Sequence, residues 1–426
     1  MLDIVYIRNN PEEAAAKLAK RGLDIDFSEF LEKDAARRAL MHTTENLKAE
    51  RNKKSAEIPK LKKAGQDTTA LLDELKALSE AIHSNDESID AMQEEQDVYL
   101  QGLPNMPADD VVAGGKEANQ VVHTFGEERV FDFEPKHHVD LLTATGMIDY
   151  ERGAKLSGSG FWLYTGMGAR LEWALINYFI DAHLADGYEM VMPPYLLNYD
   201  AGYAAGQFPK FLGDIFEIRS NDDNFRFLLP TAETALVNYH RDEIMSEDEL
   251  PHKLFAYTAC FRREAGSHGA NERGMIRGHQ FNKVEMFQFA KPEESEDALD
   301  ELVRKACELV EGLGLHYQLV KLAAGDVGAA MKKTYDIEIW IPSMEGYKEV
   351  SSVSNAGDYQ SRRGNVRFRR DEDGKVEFCD TLNGSGLATS RVLPAIAEQN
   401  QQADGSIVVP EVLRPYMGGI EIIRPL

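Results

Sequence analysis

The chain has 426 residues, 43% of them hydrophobic, and carries 47 Lys and Arg against 72 Asp and Glu, a formal charge of −25. This content supports buried cores in two or three domains and excludes a mainly disordered chain. Three distant cysteines (Cys260, Cys307 and Cys379) with no CxxC pair argue against a disulfide framework or a Cys-rich zinc site. The first residues lack a basic stretch leading into an apolar one, and no run of about 18 apolar residues occurs. Neither a secretory signal nor a membrane span is expected, and a cytoplasmic, reducing location is. The acidic total argues against general nucleic-acid affinity, although local patches decide such binding.

Residues 1–28 read as a short helical cap, with Pro11-Glu-Glu13 as a helix start. From 29 to 64 the pattern is helical and charged. Leu40, Thr44, Leu47, Arg51, Lys54, Ile58 and Leu61 recur at spacings of four and three, and Pro59 is expected to end or kink the helix near its tip. After a turn at Gly65-Gln-Asp-Thr68, a second helix over 67–101 carries a cleaner seam: Leu71, Leu75, Leu78, Ile82, Asn85, Ile89, Met92, Gln96 and Tyr99. Two such helices predict an antiparallel coiled-coil hairpin roughly 50 Å long.

The hairpin's charge is lopsided. Residues 29–64 hold ten basic and six acidic side chains, and 65–101 hold one basic and ten acidic. Either the two faces pair with each other, or Arg37, Arg38, Lys48, Arg51, Lys53 and Lys54 follow a phosphate backbone.

Residues 102–119 are rich in Pro and Gly and read as a linker, which puts a domain boundary at 108/109. Beyond it, strand candidates are 225–229, 254–258, 284–289, 337–341 and 366–369. Helix candidates are 169–185, 231–245, 294–313 and 387–402. Without regular strand–helix alternation, the expected fold class is α+β, an antiparallel sheet flanked by helices.

P-loop, GxSxG and HExxH patterns are missing, and His268 and His279 lack partners at metal-ligand spacing. Two polar clusters remain. In Phe261 to Met286 a strand, a glycine-containing loop and a return strand display Arg262 and Glu264 on one face. Phe281, Lys283, Glu285 and Phe287 share a face on the return. A salt-bridge ladder would explain these residues taken alone. In Asn383-Gly-Ser-Gly-Leu-Ala-Thr-Ser-Arg391, small residues let a ligand approach the backbone just before a helix.

Together these clusters resemble motifs 2 (about 255–289) and 3 (about 383–402) of class II aminoacyl-tRNA synthetases, and closely those of the bacterial seryl-tRNA synthetase family. Residues 169–194, ending Gly187-Tyr-Glu-Met-Val-Met-Pro-Pro194, resemble motif 1. Pro230-Thr-Ala-Glu-Thr234, Glu349-Val-Ser-Ser-Val-Ser-Asn355 and Asp404-Gly-Ser-Ile407 with Pro410-Glu-Val-Leu-Arg-Pro415 also match. The class I signatures HxGH and KMSKS are absent. The chain departs from the family at His268-Gly-Ala-Asn-Glu-Arg273 in the motif 2 loop, at Val353 and at Pro394.

The resemblance implies a serine–tRNA ligase that forms seryl-adenylate from L-serine and ATP, then charges tRNA(Ser), and tRNA(Sec) where the host makes one. It implies ATP with Mg²⁺ and no zinc, and a homodimer with no membrane. By resemblance, Arg262, Arg263, Glu264, Phe281, Glu349, Val350, Ser351, Ser352 and Arg391 bind ATP, with Arg262, Arg391 and Glu349 catalytic. Glu349 and Ser352 hold Mg²⁺. Thr231, Ala232, Glu233, Glu285, Asn383 and Ser385 bind serine, and Arg37, Arg38, Lys48, Arg51 and Lys54 meet tRNA. A paralogue that loads a carrier protein is expected to lack the hairpin. An inactive interaction protein is expected to have lost some of these residues.

Overall fold

The computed structural model describes residues 1–219, 224–265 and 274–426. The motif 2 loop departure, His268 to Arg273, lies outside the described residues. Two compact units emerge: residues 2–16 with 24–103, and Met1 and 17–23 with 104–426. Residues 17–23 therefore belong with the larger unit, although they precede the hairpin in sequence.

The smaller unit holds the hairpin, with the short helix Ile4–Asn9 packed in the same unit. The hairpin helices are Ser28–Ser55 (α1), Ile58–Lys63 (α2) and Thr69–Gly102 (α3). The first arm breaks ahead of Pro59, which sits in the opening turn of α2, where a missing N–H costs nothing. Thr44 and Ile82 are buried in the seam, and Arg51 and Lys54 are half-buried along it. At the base Leu100 is buried while Tyr99 stays at the rim, its ring 4.9 Å from that of Phe30. Asp34, fully buried, accepts from Arg8, Arg38 and Gln96. Lys33 pairs with Glu95, Lys48 reaches Asp86 at 3.1 Å and Lys54 reaches Glu74 at 2.9 Å, so the basic helix pairs with the acidic one at these three positions.

The larger unit is built on an eight-stranded sheet. Its strands are Gln120–Phe125 (β1), Glu189–Met190 (β2), His252–Phe261 (β3), Gln280–Ala290 (β4), Tyr317–Lys321 (β5), Lys333–Ile341 (β6), Gly346–Gly357 (β7) and Asp380–Ala388 (β8). Their order is β1-β5-β6-β7-β8-β4-β3-β2. Every pair is antiparallel except β2 with β3.

Alternation along the strands sorts the side chains. Val284, Met286, Ile337 and Ile339 pack with Leu175, Phe179, Leu302, Val310, Leu393 and Ile396. These come from three helices, Gly166–Ala185 (α4), Ser295–Gly312 (α5) and Thr389–Gln399 (α6), which cover one face. The intervening residues Lys283, Glu285, Asp336 and Glu338 line a cavity over the other face. Apolar positions in α4 recur at Leu171, Leu175 and Phe179, and the helix stops where Gly187 takes φ +82°, with Tyr188 N donating to His183 O.

The expected helix over 231–245 is wrong. Only Glu233–Leu236 is helical; tight turns follow, and Ile244–Ser246 is a strand. Ala232, Leu236 and Val237 are buried, so the stretch reads apolar enough for a helix. Asp242, at φ +63°, then redirects the chain to pair with 367–369. The glycine cluster at 383–388, read as small residues leading into a helix over 387–402, is the interior of β8, with helix beginning at Thr389 and ending at Gln399. Strand hydrogen bonding to both β4 and β7 overrides the glycines' weak strand preference. Pro394 lies inside α6, which runs on through it.

A Cβ on Gly168 would lie 2.1 Å from the Met147 carbonyl oxygen, so α4 touches backbone there. Gly168→Ala is expected to cost about 1–3 kcal/mol of stability, read by denaturant unfolding. An unchanged midpoint would mean that this approach is not tight.

Candidate active site

The cavity, about 460 Å³, opens over β4, β6, β7 and β8, with Thr231 and Glu233 on its wall. At its floor Glu285 is fully buried. Asn383 Nδ2 donates to its Oε1 at 3.0 Å, Ser385 Oγ to its Oε2 at 3.1 Å, and Lys283 Nζ lies 2.5 Å from Oε2. The pairing of Glu285 with Ser385 across β4 and β8 places these groups together. Glu233 stands beside them, accepting from Gln360 Nε2 at 2.8 Å and from Asn383 Nδ2 at 3.3 Å. Burial, and then the charge of Glu285, push the Glu233 carboxyl up to about 7. Thr231 lines the same cavity, while Ala232 is fully buried in the apolar cluster with Leu236 and Phe287.

Phe281, Arg262 and Glu264 edge a smaller recess that adjoins this cavity. The strand ends at Phe261, and alternation carries on through Arg262 and Arg263 before Glu264 turns at φ +52°. Arg262 faces the cavity, its guanidinium 5.2 Å from the Phe281 ring centre and its Nε donating to Pro230 O. Arg263 turns the other way and donates to Gly213 O. Glu264 accepts from Arg277 Nε at 2.7 Å. Arg391, in the first turn of α6, donates from Nε to Ile276 O and from Nη1 to Glu349 O.

Glu349 and Ser352 are three residues apart, a spacing that puts strand side chains on opposite faces. They line one cavity because β7 carries an irregularity: Ser351 pairs with Ile337 but Glu349 pairs with Glu338, leaving Val350 as the extra residue. Val350 is buried beside the smaller recess. Ser351 points away from the cavity, its Oγ donating to Ser385 O.

Opposite Ser352 and Glu349 stand Asp336 and Glu338. Asp336 Oδ1 is buried without a hydrogen-bond partner, and burial followed by Glu349 holds its carboxyl well above the usual range. This oxygen-only set suits a hard divalent cation. The sequence reading missed Asp336 and Glu338, although the alternation Asp336-Ile-Glu338-Ile places two acids on one face of a strand. It also missed Gln360, which no local pattern marks.

Among the described residues, His137, His138 and Glu398 bring three potential ligand atoms within 4.8 Å. His138 Nε2 is buried without a hydrogen-bond partner, but His138 Nδ1, His137 Nδ1 and the Glu398 carboxylate are engaged. Glu398 accepts from His138 N and from Ser343 N and Oγ and faces His138 Nδ1, and His137 Nδ1 accepts from Val139 N. The cluster reads as a helix cap.

Comparison with known proteins bears on the whole chain. Residues 1–107 match the seryl-tRNA synthetase N-terminal domain, and 215–400 match the tRNA synthetase class II core domain (G, H, P, S and T). Serine–tRNA ligase 2 of Clostridium acetobutylicum is 57% identical over 98% of this chain and 99% of its own. The serine–tRNA ligase of Thermodesulfovibrio yellowstonii is 49% identical over the full length of both. The crystal structure of seryl-tRNA synthetase from Pyrococcus horikoshii complexed with ATP superposes with a TM-score of 0.93 at 34% identity, covering both chains entirely. A helical hairpin joined to a class II core, with these relatives along its whole length, means that the chain belongs to the seryl-tRNA synthetase family.

Proposed function

We propose that the chain activates L-serine with ATP, releasing pyrophosphate, and transfers serine to the 3′ end of tRNA(Ser), and of tRNA(Sec) where it is present. The observation that carries the serine assignment is the buried Glu285 carboxylate flanked by Ser385 and Asn383. A substrate hydroxyl can donate to Glu285, and alanine would leave that carboxylate short of a donor. Thr231 and Glu233 serve the ammonium group.

The serine carboxylate attacks the α-phosphorus, so no protein nucleophile or base is needed and catalysis is positioning plus charge stabilisation. Arg262 suits the α-phosphate and substrate carboxylate, because a planar guanidinium spans two oxyanions. Phe281 stacks on the adenine, Glu264 accepts from its amino group, and Arg391 takes the γ-phosphate. Val350 contributes apolar contact from its place at the recess. Arg263 and Ser351 face away from the cavity, which weakens a direct role for either in ATP binding, and buried Ala232 contributes through its backbone. Glu349 and Ser352 are the Mg²⁺ ligands, the ion bringing positive charge to the phosphates when bound.

A homodimer is supported by apolar side chains left in water around motif 1, with Trp173 54% and Met192 83% exposed. No helix among the described residues is long and apolar enough to cross a membrane. On the arm, Arg37 and Arg38 approach Asp34, and Lys48 and Lys54 pair across the hairpin. These four, with Arg51, are the proposed tRNA contacts; the exposed Lys48 and Lys54 pairs are weak enough to exchange for phosphate, whereas Arg37 and Arg38 lean on the buried Asp34.

Serine-dependent ATP–pyrophosphate exchange tests the assignment. Serine should far exceed alanine, glycine, threonine and cysteine, and a lead by alanine or glycine would overturn it. Glu285→Ala should raise the serine KM and erode the preference over alanine; an unchanged ratio of kcat/KM values removes Glu285 from recognition. The Glu233 carboxyl gains a proton as pH falls through about 7, losing its attraction for ammonium. The serine KM should therefore climb several-fold between about pH 8 and about pH 6, and a flat profile counts against Glu233. Replacing Arg38, Arg51 and Lys54 by Ser should lower aminoacylation about tenfold while sparing exchange. Equal loss of both steps would point to misfolding instead.

A further inference from the structure

Glu172 is a carboxylate in the middle of α4 that plays no part in the chemistry above, yet it is only 3% exposed. Burial pushes its carboxyl up to about 7. Among the described residues this buried acid pairs with no arginine or lysine, although Ala or Leu at this helix position would avoid the desolvation cost.

Its contacts join three elements. Asn282 Nδ2 donates to Glu172 Oε1 at 2.8 Å. Thr389 Oγ1 lies 2.5 Å from the same oxygen and 3.1 Å from the Asn282 carbonyl oxygen. Asn282 Oδ1 in turn accepts from Tyr257 on β3. Glu172 Oε2 makes no close hydrogen bond, and the buried Tyr164 hydroxyl faces the carboxyl and Thr389.

The positions of the gripped residues matter. Asn282 lies between Phe281 and Lys283, and alternation turns it to the helix-covered face while those two line the pockets. Thr389 opens α6, two residues before Arg391. One acceptor oxygen thus fixes, from behind, both the strand bearing Phe281 and the helix turn bearing Arg391. The bulge between β4 and β8 falls in the same place, between Lys283 and Glu285, where regular strand pairing cannot hold the register.

We propose that Glu172 is a positioning residue of the activation step: by holding Asn282 and Thr389 on one oxygen, it sets the spacing between Phe281 and Arg391, and so the nucleotide side of the pocket. This rests on the reading that Phe281 and Arg391 bind ATP. Glu285 is anchored separately by Asn383, Ser385 and Lys283, so the serine side is expected to respond less.

The test is serine-dependent ATP–pyrophosphate exchange by the full chain, with KM for ATP and for serine measured separately. Glu172→Ala should raise the ATP KM about tenfold and the serine KM less than about twofold. Glu172→Gln keeps the acceptor oxygen and copies the shape of the protonated acid, so it should restore the ATP KM to near the parent value. Thr389→Val removes one donor at constant shape and should raise the ATP KM several-fold; it decides the matter if Glu172→Ala does not fold. Phe281→Ala and Arg391→Ala are controls on the underlying reading. If neither control raises the ATP KM, the nucleotide-site assignment fails and this proposal with it. If the controls respond but Glu172→Ala and Thr389→Val leave the ATP KM unchanged, or if Gln is as damaging as Ala, the positioning role is overturned. A loss shared equally between the two KM values also overturns it.

Discussion

The constraint on which the catalytic unit depends is one buried negative charge. Glu285 has no access to water, and a carboxylate there survives only if its oxygens are fully served. Lys283 supplies charge, and Asn383 and Ser385 supply donors from the neighbouring strand. That demand dictates why polar residues occupy the interior of a central sheet. It propagates outward: Asn383 also reaches Glu233, Glu233 is held by Gln360, and Gln360 accepts from Thr381. The pocket floor is therefore a connected polar network set into an apolar scaffold, and removing any one donor leaves another group stranded.

Much of this arrangement was legible in the sequence, because strand alternation is a strong signal. Lys283 and Glu285 fall on one face by counting, and Arg262 keeps that phase past the strand end, while Glu264 reaches the recess through a left-handed turn. Heptad spacing likewise marked the hairpin seam, down to the break at Pro59. The failures have local causes. Residues 231–245 are buried on several sides, so their apolar content carries no period that separates helix from turns. The 383–388 stretch looks like a loop because glycine has little intrinsic liking for strands, yet partners on both sides hold it in the sheet. Gln360 and Glu172 act over long sequence separations, and nothing near them in the chain announces their partners.

The hairpin shows how a charge pattern can serve two ends. Its basic helix and acidic helix pair at Lys48 with Asp86 and at Lys54 with Glu74, which fixes which helix neighbours which. Exposed pairs add little stability, so the packed seam around Thr44 and Ile82, and the buried Asp34 with Gln96, hold the two helices together.

The bulge at Val350 turns the geometry of the cavity into a rule about chain length. Glu349 and Ser352 share a face only because one residue is counted twice on β7 against β6. The turn at Pro342–Met344 that joins these strands lies outside this count, so insertions there leave the acidic face intact. Losing Val350 would restore regular pairing and leave Glu349 and Ser352 on one face, whereas adding a residue beside it, with the single bulge kept, would rotate Glu349 to the far side of the sheet. Chain length is therefore unconstrained at this tip but constrained at Val350, where the bulge absorbs one extra residue and not two.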